Sequence, residues 1–210
     1  MADAAFGGVR HRAAQAPDAI YLDTPEEGRR WTYAETLATA EKVGRSLLAH
    51  GEPGERRVAE GEPLLFDFGT SVDGYASDIT RTVSMGAPSA RLAEVYAVVQ
   101  AANAAGRAAA GPGISAQEVD RTTRKVIEDA GFGAYFTHRT GHGLGLEAHE
   151  GPNIVEGNTR ALEPGMVFTI EPGIYIPGEV GVRIEDNLVI TGEGAESLTT
   201  FPRELLQVGG

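Results

Sequence analysis

The sequence predicts an α+β fold, a curved antiparallel sheet backed by helices. Three features point there. Two long β-prone stretches each fold back on a turn signal, two helical patterns lie between them, and carboxylates stand in strands where apolar side chains belong. In chain order, residues 19–33 (AIYLDTPEEGRRWTY) read as strand, turn, strand, with TPEEG as the turn. Residues 34–50 read as a helix with Leu37, Ala40, Val43, Leu47 and Leu48 on one face and Gly51 as its stop. Residues 51–62 are rich in turn formers and mark a junction. An apolar run from Pro63 then leads into Asp73-Gly74, a two-residue hairpin signal, and a second β-prone run follows. Ser89 caps a helix carrying Leu92, Val95, Tyr96 and Val99, which ends at the GPG of residues 111–113. Ser115 and Glu118 form a capping box for a second helix, ending before Gly131. Residues 166–191 read as a second hairpin, turning around Pro177-Gly178.

Composition narrows the function classes. The 210-residue chain has a formal charge of −12 and no cysteine. An acidic balance argues against nucleic acid and against an anionic membrane surface, both of which call for surplus Lys and Arg. Without cysteine, neither a disulfide framework nor a thiolate metal site can form. The N-terminus lacks the apolar core of a signal peptide and no stretch reaches transmembrane length, so a cytoplasmic protein is expected.

The acidic residues in the hairpins are the sharper signal. A lone ionised carboxylate in an apolar strand is costly unless paired or metal-bound. A two-residue turn at Asp73-Gly74 pairs Asp67 with Thr80 and leaves Asp78 diagonal to Asp67 on the same face. A three-residue loop at Pro177-Gly178-Glu179 pairs Ile176 with Val180 and so sets Glu171 opposite Glu185. Four converging carboxylates repel unless a divalent cation neutralises them. Three of the five histidines crowd into HRTGHGLGLEAHE, residues 138–150, with glycines around His142 that allow close backbone approach. Four oxygen ligands and one imidazole suit manganese, cobalt or zinc.

These motifs resemble the pita-bread metallopeptidases, the family of aminopeptidase P, prolidase and methionine aminopeptidase. The resemblance covers about residues 51–206 and rests on FDFGTSVDGYASDITRT, HRTGHGLGLEAHEGP, LEPGMVFTIEPGIY and GVRIEDNLVIT. The last two look like the aminopeptidase P and prolidase branch. The resemblance implies a pita-bread fold and a dinuclear site. Asp78 and Glu185 would bridge two divalent ions, manganese first, with His142 and Glu171 completing one and Asp67 chelating the other. It further implies hydrolysis of Xaa-Pro peptides by a metal-bridging hydroxide. Glu171 would carry the proton, His149 would stabilise the tetrahedral intermediate, and His138 and Arg183 would line the site. The implied partner is a peptide with proline in second position.

The front of the chain departs from that family. Residues 9–50 resemble instead the opening of AMP-forming acyl-CoA synthetases, with a similar strand pair, a TYAE helix start and a closing GEPGERRV. The expectation is a chimera, with residues 1–50 as a synthetase-like remnant and residues 51–210 as a pita-bread domain incomplete at its N-terminal side. His50 stands where the peptidases have a substrate-binding histidine, yet it also suits a helix C-terminus. An uncovered apolar face on the 34–50 helix would favour a homodimer. The rival functions are a non-catalytic binding protein of the same fold and, third, an adenylate-forming ligase fragment. The ligase lacks support because its Ser/Thr/Gly-rich phosphate-binding stretch is absent.

Overall fold

The computed structural model describes residues 20–24, 29–32 and 58–208. These described residues divide into two compact units, the larger formed by residues 65–82 and 90–203, the smaller by residues 20–24, 29–32, 58–64, 83–89 and 204–208. In the smaller unit, β1 (Ile20–Thr24) and β2 (Arg29–Thr32) pair antiparallel, as the sequence predicts. The expected 34–50 helix, its residue His50 and the junction up to residue 57 lie outside the described residues.

The first predicted hairpin forms. β3 (Pro63–Val72) and β4 (Tyr75–Met85) are adjacent strands joined by Asp73 and Gly74, with φ of 52° and 83°. Positive φ at both central residues matches the right-handed twist of the flanking strands, and Asp and Gly adopt it at low cost. At the far end of β4, within the smaller unit, β12 (Leu206–Val208) runs parallel to Val83–Met85. That pairing departs from the expected all-antiparallel sheet. A strand arriving after a long connection is free to lie in either direction, and no local turn fixes it.

In the larger unit, α1 (Ala90–Ala109) and α2 (Ala116–Asp129) follow the predicted boundaries and pack against each other. The Glu118 carboxylate reaches back to the Ser115 N–H at 3.3 Å and accepts from its hydroxyl at 2.9 Å, which satisfies one of the free donors at the helix start. Beyond the helices come β5 (Gly141–Gly143), β6 (Glu150–Ile154), β7 (Val167–Ile170), β8 (Gly173–Ile176), β9 (Val180–Arg183), β10 (Asp186–Ile190) and β11 (Ala195–Ser197). Five of them form a sheet in the order β11-β10-β7-β5-β6, while β8 and β9 form a separate ribbon. Ala116 and Val119 of α2 share a core with Ile154, Phe168, Ile170, Leu188 and Ile190, all nearly inaccessible. Burying each of the larger side chains contributes on the order of 1.5–3 kcal/mol.

The second predicted hairpin keeps one register through two ribbons. Ile176 faces Val180 and Gly173 faces Arg183 in β8–β9, and Ile170 faces Asp186 in β7–β10. Counting inward from the flanking rungs sets Glu171 against Glu185 and Pro172 against Ile184. The ladder lapses at these two rungs because Pro172 has no N–H to give and the Glu171 and Glu185 N–H groups bond to the Thr140 and Thr80 carbonyls instead. What survives is a long bond from the Ile184 N–H to the Pro172 carbonyl at 3.4 Å.

Candidate metal centre

The acidic side chains sit where the strands break or turn. Glu171 and Glu185 occupy the interrupted rungs just described. Asp67 and Asp78 come from β3 and β4. Together with His138, His142, His149 and Arg183 they line one cavity of about 280 Å³, joined by Arg139. Every described residue singled out from the sequence as a site candidate therefore meets in one place.

The glycines around His142 explain how its ring gets there. A Cβ at Gly141 would overlap the Thr169 carbonyl, and one at Gly143 would overlap the Gly151 carbonyl. Only glycine lets β5 lie this close to its neighbours. The His142 N–H donates to Thr169 Oγ1 at 3.0 Å, and Thr169 Oγ1 lies 3.2 Å from Glu171 Oε1. His142 Nδ1 sits 3.1 Å from the Gly143 carbonyl. A carbonyl can only accept, so Nδ1 carries the proton and Nε2 turns its lone pair toward the carboxylates. Burial holds His142 below the ordinary imidazole range, which keeps that lone pair free.

Nε2 lies 3.5 Å from Glu171 Oε1 and 3.7 Å from Asp78 Oδ2. Those gaps are too wide for good hydrogen bonds. Glu185 is 2% exposed; its Oε2 accepts from the Thr80 hydroxyl at 2.5 Å, but its Oε1 is buried with no hydrogen-bond partner. A buried carboxylate with an orphaned oxygen, in a residue grouped with other ligand side chains, calls for a cation. Among the described residues, three groups bring ligand atoms within 4.8 Å of one another: Asp67, Asp78 and Glu185; His142, Glu171 and Glu185; and Asp78, His142 and His149. The His142 and His149 rings meet edge-on with centroids 4.2 Å apart.

Electrostatics agree with the crowding. Burial pushes the Glu185 carboxyl up to about 8, and the Glu171 charge pushes the same way. Burial lifts Glu171 to about 7, against the pull of Arg183. Burial and the neighbouring Asp67 also raise Asp78. Both glutamates hold their protons more tightly folded than unfolded. Their contribution to stability is therefore complete below about pH 4.5 and is lost as pH rises through 7 to 8. Protein stripped of metal should accordingly melt lower at pH 8 than at pH 5.5 on account of these two groups, and saturating manganese should flatten the difference. A metal-free melting temperature that climbs steadily to pH 8 would contradict the clustering.

A chain of hydrogen bonds, only its ends anticipated from the sequence, runs along one wall. His138 Nδ1 faces the Arg139 carbonyl at 2.8 Å, so its Nε2 accepts from the Tyr175 hydroxyl at 2.9 Å. The Tyr175 oxygen in turn accepts from Arg183 Nη1 at 3.0 Å. Arg183 also donates to Asp67 through Nη2 and to Thr80 through Nε, tying the two hairpins together. From below, Arg124 of α2 holds the His138 carbonyl at 2.9 Å while paired with buried Asp120. Sequence reasoning missed Thr80, Thr169 and Tyr175 as site residues. Their signal is hydroxyl groups on strands at even spacing from the acidic residues, which is weak because Thr and Tyr are common in strands anyway.

Comparison with known proteins gives a family to this geometry. Residues 20–192 match the description "Metallopeptidase family M24". The chain is 44% identical over 203 residues, 97% of its length and 54% of the other, to a protein of Lactobacillus delbrueckii subsp. lactis named Xaa-Pro dipeptidase. Among solved structures it resembles a dipeptidase of Pyrococcus horikoshii, with 48% identity, a TM-score of 0.72, and 76% of this chain and 45% of that one covered. It also resembles an X-Pro aminopeptidase of Thermotoga maritima, with 41% identity, a TM-score of 0.71, and 79% and 47% covered. The chain spans about half the length of the curated relatives it matches. The family match begins at residue 20, inside the stretch expected to derive from an acyl-CoA synthetase, so the comparisons give that foreign origin no support. On a match covering most of its length, the chain belongs to metallopeptidase family M24.

Proposed function

We propose that this chain works as a metal-dependent peptidase that cleaves Xaa-Pro bonds, holding two divalent ions, manganese foremost with cobalt or zinc as alternatives. The observation that carries the proposal is Glu185, a buried carboxylate with one unpartnered oxygen that belongs to two of the ligand groups. Asp67, Asp78, His142, Glu171 and Glu185 would hold the two ions, with Asp78 and Glu185 shared between them. Bound there, such ions would lower the pKa of water and stabilise the charge that develops on the scissile carbonyl. The remaining steps belong to the protein. Glu171 would accept the proton from the attacking water and pass it to the departing amine. His149, exposed beside His142, donates to the oxygen that gains charge. The joined His138, Tyr175 and Arg183 hold the peptide beside the carboxylates. His50 remains a candidate substrate contact on its spacing from Asp67 alone.

The substrate class follows from the names of the relatives, an Xaa-Pro dipeptidase and an X-Pro aminopeptidase. In the cytoplasmic setting we propose, the partner is a free peptide with proline second. The test is hydrolysis of an Xaa-Pro dipeptide and of a longer peptide beginning Xaa-Pro, with manganese and with chelator. Metal-dependent release of the N-terminal residue from at least one is expected, and the preferred length separates dipeptidase from aminopeptidase. Metal-loaded protein that cleaves neither would leave a binding role and contradict the peptidase proposal.

A further inference from the structure

We propose that Asn103 is a positioning residue that sets the spacing of Glu171 and Glu185 for cation binding. The inference rests on the metal-site proposal above. Asn103 lies on α1 in a stripe with Leu92, Val95, Tyr96 and Val99, all buried, and is itself fully inaccessible. A polar amide in an apolar helix stripe costs free energy unless its hydrogen bonds are made. Here they are all made, and to telling partners. Nδ2 donates to the Ile170 carbonyl at 3.1 Å and the Ile184 carbonyl at 3.3 Å, while Oδ1 accepts from Arg107 Nε at 2.8 Å. Carbonyls only accept and a guanidinium only donates, so the amide has one possible orientation.

The two carbonyls belong to the residues immediately before Glu171 and Glu185. These are also the rungs where Pro172 interrupts the ladder between β7–β10 and β8–β9. Strand pairing here is reduced to the one long Ile184–Pro172 bond. The Glu171 and Glu185 N–H groups turn to the Thr140 and Thr80 carbonyls, and a single amide from the helix spans the two glutamate strands. Gly106, one turn further on, permits the approach, since a Cβ there would overlap Thr123 Oγ1 and press on Ile170. On the other side of Glu185, Arg81 Nη1 donates to its carbonyl at 2.6 Å and to the Thr80 carbonyl at 2.8 Å. The Glu185 backbone is thus held from both directions, but Asn103 alone of these side chains bonds to both glutamate strands.

Asn103→Leu keeps the volume and removes both donors. Manganese affinity of the full chain is read by calorimetric titration, and site geometry by the visible absorption of the cobalt(II)-loaded protein. The melting temperature in EDTA reports on the fold alone. The expected result is a manganese Kd about ten to a hundred times weaker, with an altered cobalt spectrum, as for other groups that orient metal ligands. A merely structural role would lower the EDTA melting temperature and leave the Kd and spectrum at wild-type values, and that result overturns the proposal. Should Asn103→Leu fail to fold, Arg107→Met removes the group that orients the amide from a partly exposed position, and a Kd at least about threefold weaker is expected. An unchanged Kd in that variant likewise overturns it. Wild-type protein that binds no metal would overturn the metal-site proposal as well, which separates the two failures.

Discussion

Glu171→Gln is expected to abolish Xaa-Pro hydrolysis, lowering kcat by at least about 100-fold and by up to about 10,000-fold. The substitution keeps the shape of the side chain, so the bond with Thr169 Oγ1 and the strand break around it can persist. It removes a negative charge from beside His142 Nε2 and Glu185, and it removes a group able to take up and return a proton. A manganese titration of the same variant apportions the loss between weakened binding and lost proton transfer. Turnover equal to wild type would remove Glu171 from the mechanism. His149→Ala is milder on the same account, because removing that exposed ring takes away neither a carboxylate charge nor the proton carrier.

Manganese should also raise the melting temperature strongly relative to EDTA. Four carboxylates and three histidines share one cavity, and three of the four carboxylates are pushed above their ordinary range. A ligand that binds only the folded chain at a thousand times its Kd stabilises by about 4 kcal/mol. In a chain of this size each kcal/mol is worth about 2–4 °C, so a rise of about 8–16 °C is expected. Coincident melts with and without metal, run at neutral pH and millimolar manganese, would count against a cation site.

The parts of this site that were legible in the sequence are those governed by short-range rules. Asp73-Gly74 and Pro177-Gly178-Glu179 fix their hairpins within two or three residues, and the period of two along a strand does the rest. Opposition of Glu171 and Glu185 followed from that arithmetic and agrees with the observed rungs. The glycines at 141 and 143 announced close backbone approach, though not that the neighbours would be Thr169 and Gly151. What the sequence concealed depends on contacts between distant segments. Tyr175 reads as an ordinary strand aromatic until its hydroxyl is seen between His138 and Arg183. Asn103 reads as a flaw in an apolar stripe until two carbonyls, 67 and 81 residues away, turn out to be its partners. The parallel strand Leu206–Val208 has no local signal for its direction.

Equilibrium dialysis of the metal-stripped chain against manganese, with bound metal counted by elemental analysis, tests the central claim most directly. Two ions per chain are expected for wild type. Glu185→Ala, which removes one of the two residues proposed to be shared between the ions, should retain fewer. Wild-type protein that binds no manganese, cobalt or zinc, or a Glu185→Ala variant that still binds two ions with unchanged affinity, would contradict a dinuclear centre at these residues.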